Sequence, residues 1–166
     1  MRIREARLED AAGLAMVHVA SWQEAYRGLI DQAFLDSLDV FGRTETWDRI
    51  LRQHKARVLV AEGDEAVIGF CTVGQSGDDG WGEVFSIYLS PDHWGRGLGR
   101  RLLSSGEQAL SEAGEERGLL WVLDTNRRAR AFYERQGWAL GKPIRIERFG
   151  EHDVTEVRYE KSLTLP

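Results

Sequence analysis

The stretch Leu89-Ser90-Pro91-Asp92-His93-Trp94-Gly95-Arg96-Gly97-Leu98-Gly99-Arg100-Arg101-Leu102-Leu103 decides the reading of the fold. It opens on the end of a strand, Glu83 to Ser90, which Pro91 terminates. Beyond the proline the apolar spacing changes, and Leu98, Leu102, Leu103, Leu110 and Ala113 share one helical face. Gly95, Gly97 and Gly99 stand between strand and helix. Glycines there let successive backbone N–H groups turn toward a ligand. The helix N-terminus adds partial positive charge, so the loop suits an anion such as a pyrophosphate. The plain alternative is a glycine-rich turn before an amphipathic helix. It costs about 0.5–1 kcal/mol for each glycine that lies in the helix.

Two familiar phosphate loops fit poorly. No Gly-Lys-Ser/Thr follows, which excludes a P-loop. The spacing Gly95-x-Gly97-x-Gly99 loosely resembles a dinucleotide loop, and Asp124 ends the next strand, where a ribose-binding acid would stand. The third glycine of that motif would fall at position 100 or 102, which are Arg100 and Leu102. A dinucleotide loop also follows the first strand of its domain, and this one follows a fourth.

Working outward, Ile3 to Ala6 reads as a short strand, and Asp10 is placed to cap a helix carrying Leu14, Val17, Trp22 and Tyr26 that Gly28 ends. A second helical stretch spans about Asp31 to Gln53, broken near Gly42. Val58 to Glu62 and Val67 to Gly74 read as strands joined by Gly63-Asp64-Glu65. Leu119-Leu120-Trp121-Val122-Leu123 reads as a central strand covered on both faces. A helix from about Arg127 to Gln136 follows, stopped by Gly137. Strands near Trp138 to Glu147 and Val154 to Lys161 form a last hairpin. The order β-α-α-β-β-β-α-β-α-β-β predicts a mixed α/β sheet with helices on both faces.

With no repeat or linker, all 166 residues read as one domain. The formal net charge of -5 argues against a nucleic-acid binder, and no apolar run is long enough for a membrane span. The N-terminus lacks the apolar stretch of a signal peptide, and the single cysteine, Cys71, cannot form an internal disulfide. Both suit a reducing cytoplasm. Cys71 lies within an apolar strand and reads as a packing residue. No pair among His18, His54, His93 and His152 has metal-ligand spacing, so no metal is expected.

A second motif is Asn126-Arg127-Arg128-Ala129-Arg130-Ala131-Phe132-Tyr133-Glu134-Arg135-Gln136-Gly137-Trp138. Together with the glycine loop it resembles the GNAT acetyltransferase superfamily. That family's loop runs Gln/Arg-x-x-Gly-x-Gly/Ala, which Gly97 and Gly99 match. Its later pattern of Asn, Ala, Phe-Tyr-Glu, Gly and an aromatic is fully present. The departure is Trp94, which occupies the Gln/Arg position. The resemblance implies a GNAT-like acyl-CoA N-acyltransferase fold, with a mostly antiparallel sheet and one splayed parallel strand pair.

It also implies acetyl-CoA as cofactor, leaving as coenzyme A, and transfer to a primary amine of a small molecule or peptide N-terminus. Ile87, Leu89, Trp94, Gly95, Arg96, Gly97, Leu98, Gly99, Arg100, Asn126 and Tyr133 would then hold the cofactor. Glu83 resembles the catalytic glutamate of histone-modifying members and is the expected base. Tyr133 resembles the acid that protonates the departing thiolate. The readings as a charged strand-start residue and a core aromatic stand beside these. Trp22, Tyr26, Phe34 and Trp47 lie in the region that lines the acceptor side in such folds and read either as an aromatic acceptor pocket, to which Trp22 and Tyr26 are assigned, or as core, and the final hairpin loop is a further acceptor wall or a homodimer contact. Two alternatives remain: a non-catalytic acyl-CoA sensor, which would need neither Tyr133 nor Glu83, and a dinucleotide-binding oxidoreductase.

Overall fold

The computed structural model describes residues 2–64 and 66–164. Glu65, in the turn expected at Gly63-Asp64-Glu65, lies outside the described residues. The strands are β1 (Arg2–Glu5), β2 (Arg57–Glu62), β3 (Val67–Gln75), β4 (Gly82–Leu89), β5 (Arg117–Leu123), β6 (Ala139–Phe149) and β7 (His152–Ser162). The helices are α1 (Ala11–Ala25), α2 (Gln32–Ser37), α3 (Val40–Gln53), α4 (Leu98–Glu112) and α5 (Arg127–Arg135). The strands form one sheet in the order β1-β2-β3-β4-β5-β7-β6. Every neighbouring pair is antiparallel except β4 with β5.

One face of the sheet packs on α4. Leu102, Leu103 and Leu110 meet Cys71, Val73, Val84, Leu120 and Val122, with Phe132 and Tyr133 of α5 at the margin. The helix comes so close that a Cβ on Gly106 would meet Cys71 Sγ at 2.8 Å. Cys71 is fully buried, and burial pushes its thiol up to about 12, in keeping with a packing role. The other face packs on α1 and α3, where Leu14, Ala15, Val17, Trp47 and Leu51 cover Val58, Val60 and Phe70. A third cluster joins Ile30, Leu35 and Leu123 to Trp22, Tyr26, Phe34 and Phe149.

Three local readings need correction. The stretch from Asp31 to Gln53 breaks at Leu38-Asp39, and Gly42 lies inside the first turn of α3. Asp39 sets that break, because its carboxylate accepts the Gly42 N–H at 2.8 Å. Asp10 precedes α1 but does not cap it; its carboxylate binds Arg4 at 2.7 Å and the Arg7 N–H at 2.7 Å. Trp121 is only half-buried, because no helix covers that part of the second face, and Arg145 lies 4.7 Å above its ring instead.

Candidate active site

The site begins where β4 and β5 separate. They pair only at Gly82–Gly118, Glu83–Leu119 and Val84–Leu120, and then diverge. The β3–β4 register slips at this point, from Thr72–Ser86 to Val73–Val84, which leaves Phe85 as the extra residue of a bulge. The Ser90 N–H donates to the Ile68 carbonyl, so Ile68–Ser90 is a hydrogen-bonded pair. Antiparallel pairs alternate, so the backbone groups of Ile87 and Leu89 point away from β3 and into the cleft. On the far side the Asp124 N–H donates to Thr155, and by the same alternation Trp121 and Leu123 turn toward the cleft. Two strand edges therefore face each other with unpaired peptide groups between them, the Leu89 carbonyl excepted, and a ligand carrying amides would satisfy them.

The glycine loop closes the mouth of this cleft. Gly95 and Gly97 both have φ +75, the left-handed region that favours glycine, and neither would meet an atom within 4 Å of an added Cβ. Gly97 caps α4 without any side-chain hydrogen bond, so the first-turn N–H groups of Leu98, Gly99 and Arg100 remain free to bind an anion. The Leu98 side chain packs inward on the core, so that residue offers its backbone alone. Arg96 and Arg100 are exposed at the helix start.

Trp94 is tied into the loop. Its Nε1–H donates to the Leu89 carbonyl at 2.8 Å, and the Arg128 guanidinium lies 3.7 Å from its ring centroid. The Ser21 hydroxyl donates to the same carbonyl at 2.8 Å. Asn126 caps α5, its side chain accepting the Ala129 N–H at 3.1 Å. Its amide donors have no hydrogen-bond partner among the described residues.

Tyr133 sits on α5 against Phe132, Trp138 and Tyr159. Burial drives its phenol far above the ordinary value, so it stays protonated and able to donate. Tyr26 and Tyr88 share a hydrogen bond at 2.9 Å, and burial raises the Tyr88 phenol well above its ordinary value. Burial pushes Tyr26 up to about 12. Trp22 stacks edge-on against Tyr26 at 4.9 Å and against Phe149 at 5.4 Å. The structure thus brings Tyr133, Tyr26 and Trp22 to one end of the cleft.

Val84 points into the α4 core, so Glu83 points to the opposite face. Burial raises the Glu83 carboxyl above its ordinary value; the Ser76 hydroxyl at 3.1 Å and Arg145 pull it back, while Asp78 and Glu156 push it further up. Glu156 is buried and binds Arg145 at 2.6 Å. Arg158 pairs with Glu160 and Asp78. Sequence reasoning missed Tyr88, Arg128, Arg145 and Glu156. The period-two alternation of Ser86 and Tyr88 carried a signal for the first of these. The others come from distant elements that only the fold unites.

The fold and cleft define an acyltransferase architecture built around a splayed strand pair and an anion-binding loop. A family model for the acetyltransferase (GNAT) family matches residues 18–138, and the chain belongs to that family. An N-acetyltransferase of Bacillus subtilis is 33% identical over 127 residues, spanning 75% of this chain and 72% of the relative. One from Archaeoglobus fulgidus is 32% identical over 145 residues, spanning 82% and 91%. Among solved structures, the PaiA N-acetyltransferase of Thermoplasma acidophilum in complex with coenzyme A superimposes with a TM-score of 0.76 at 22% identity, covering 97% of this chain and 98% of that one. The family draws its acetyl group from acetyl-CoA. No helix among the described residues is long and apolar enough to cross a membrane.

Proposed function

We propose that this chain moves the acetyl group of acetyl-CoA onto the amine of a small molecule or peptide by direct attack in a ternary complex. The observation that carries the reading is the splay of β4 from β5, with the free N–H groups of the Gly97 loop at its mouth and Glu83 and Tyr133 beside it.

In this reading the loop N–H groups hold the pyrophosphate, and the pantetheine amides fill the peptide edges of Ile87, Leu89 and Trp121. An alkylammonium has a pKa near 10.4, so about one molecule in a thousand is neutral at pH 7. Glu83, directly or through water, takes the proton that the attacking amine releases. The nitrogen lone pair forms the new C–N bond, and the thioester carbonyl oxygen carries the charge. One of the cleft-facing N–H groups, that of Ile87 or of Leu89, donates to that oxygen and needs no reorganisation as the charge develops. Collapse breaks the C–S bond, and Tyr133 gives its proton to the departing sulfur. No acetyl-enzyme is needed, and fully buried Cys71 is unsuited to carry one.

The first test is thermal stability with acetyl-CoA, coenzyme A, NADH and no ligand. A cofactor at a hundred times its dissociation constant adds about 2.7 kcal/mol, which moves the melting temperature by several degrees. A shift with acetyl-CoA and coenzyme A alone supports the reading and leads to an amine screen by thiol release. No shift with either overturns it.

A further inference from the structure

A cavity of about 390 Å³ opens on the second face of the sheet, between α1, α3 and the bulge of β4. That volume is in the range of small-molecule sites. Trp47, Ile50 and Phe85 give it apolar walls, and His18, Arg43 and Lys55 give it polar ones. No carboxylate among the described residues lines it. Both ring nitrogens of His18 and the Nε1 of Trp47 are buried without a hydrogen-bond partner.

Arg43 sets this cavity apart. Elsewhere the partly buried arginines Arg4, Arg130, Arg145 and Arg158 each hold a carboxylate. Arg43 is half-buried and has no such partner among the described residues. It lies close enough to His18 for its positive charge to be felt there. An unpaired guanidinium at the edge of an apolar cavity matches a carboxylate, which it can grip with two parallel hydrogen bonds. The cavity also lies beside the cleft: Ser86, on its wall, directly precedes Ile87, whose backbone faces the cleft.

We infer that the acceptor is an amine that carries a carboxylate on an apolar body, in the manner of an aromatic or branched amino acid. The cavity holds the body, Arg43 holds the carboxylate, and the amino group reaches toward the cleft between β4 and β5. This deepens the acetyl-transfer reading and rests on it for the fate of the amine, but the binding site can be tested without turnover.

The binding arm compares 3-phenylpropionate with the uncharged 3-phenylpropanol on wild type, Arg43→Gln and Arg43→Lys, by thermal shift in the presence of coenzyme A. The expected result is that wild type binds the carboxylate at least tenfold more tightly than the alcohol. Arg43→Gln erases that preference, Arg43→Lys keeps part of it, and the melting temperatures without ligand stay together. Equal binding of the two ligands, or a preference that survives in Arg43→Gln, overturns the inference.

The turnover arm measures thiol release with phenylalanine, leucine, phenethylamine, isoamylamine and phosphoethanolamine. A kcat/KM at least tenfold higher for the amino acids than for their decarboxylated partners supports the inference. Parity, or a preference for the phosphorylated amine, overturns it while leaving acetyl transfer standing. Carboxylate binding with no turnover of any amine overturns acetyl transfer and the acceptor assignment with it.

Discussion

The indole Nε1–H of Trp94 donates to the Leu89 carbonyl at 2.8 Å, tying the glycine loop to the last residue of β4. The family pattern places a polar side chain at position 94, and here an aromatic donor fixes the strand end while Arg128 covers its ring. Trp94→Phe keeps the ring and loses the donor. A neutral hydrogen bond contributes about 1 kcal/mol net, so the KM for acetyl-CoA should rise about fivefold with kcat little changed. Trp94→Ala also loses the stacked guanidinium and should cost more. Initial rates against acetyl-CoA concentration separate the two variants, and wild-type KM in both would show that the loop holds its shape without the indole.

Gly97 is the second loop position with a sharp expectation. At φ +75 a side chain costs about 1–2 kcal/mol. Gly97→Ala should therefore melt a few degrees lower. It should also lose most of the stabilisation that coenzyme A gives, because relaxing the backbone turns the α4 N–H groups away from the phosphates. Melting curves with and without coenzyme A measure both effects in one experiment. Full stabilisation by coenzyme A in the variant would remove the loop from the binding site.

Much of this fold was legible because its elements obey local rules. The apolar period switches at Pro91, the glycines of the loop sit where φ must be positive, and Gly137 ends the helix before it. What escaped depends on partners remote in sequence. Asp10 has the sequence signature of a helix cap, yet Arg4 and the Arg7 N–H claim its carboxylate. Trp121 looks like part of an all-apolar central strand, yet it lies where the helices of the second face stop. The loop and the tyrosine helix were visible as motifs. The cavity beside Phe85 was not, because His18, Arg43 and Phe85 come from three elements with no shared pattern.

Glu83 links activity and stability in opposite directions. As a base it must be ionised, so the rate should rise with pH through a value above the ordinary carboxylate range. Glu83→Gln should lose that limb and about 10²–10³ in kcat. Because the folded state holds the Glu83 proton more tightly than the unfolded chain does, stability falls as pH rises between the ordinary and the raised values. Glu83→Gln removes that penalty and should melt higher than wild type at pH 7. Rate profiles and melting curves from pH 5 to 8 test both halves; an unchanged rate profile would take Glu83 out of the mechanism.

His18 predicts an acid limb of the stability curve. Burial among Trp22, Trp47, Phe70 and Tyr88 comes first, and the charge on Arg43 second, in lowering its pKa from 6.5 to about 3. The unfolded chain takes up a proton on this ring below pH 6.5, while the folded protein refuses it until about pH 3. Stability that is fully present above pH 6.5 is therefore lost as pH falls through that window. At pH 5 the loss is about 2 kcal/mol, or about 6 °C in melting temperature for a chain of this size. His18→Phe places an uncharged ring among the same aromatic neighbours and should remove this dependence. The difference in melting temperature between wild type and His18→Phe should then shift in favour of the variant by that amount between pH 7 and pH 5. A difference that stays constant with pH would mean that the imidazole takes up its proton in the folded state at an ordinary pH.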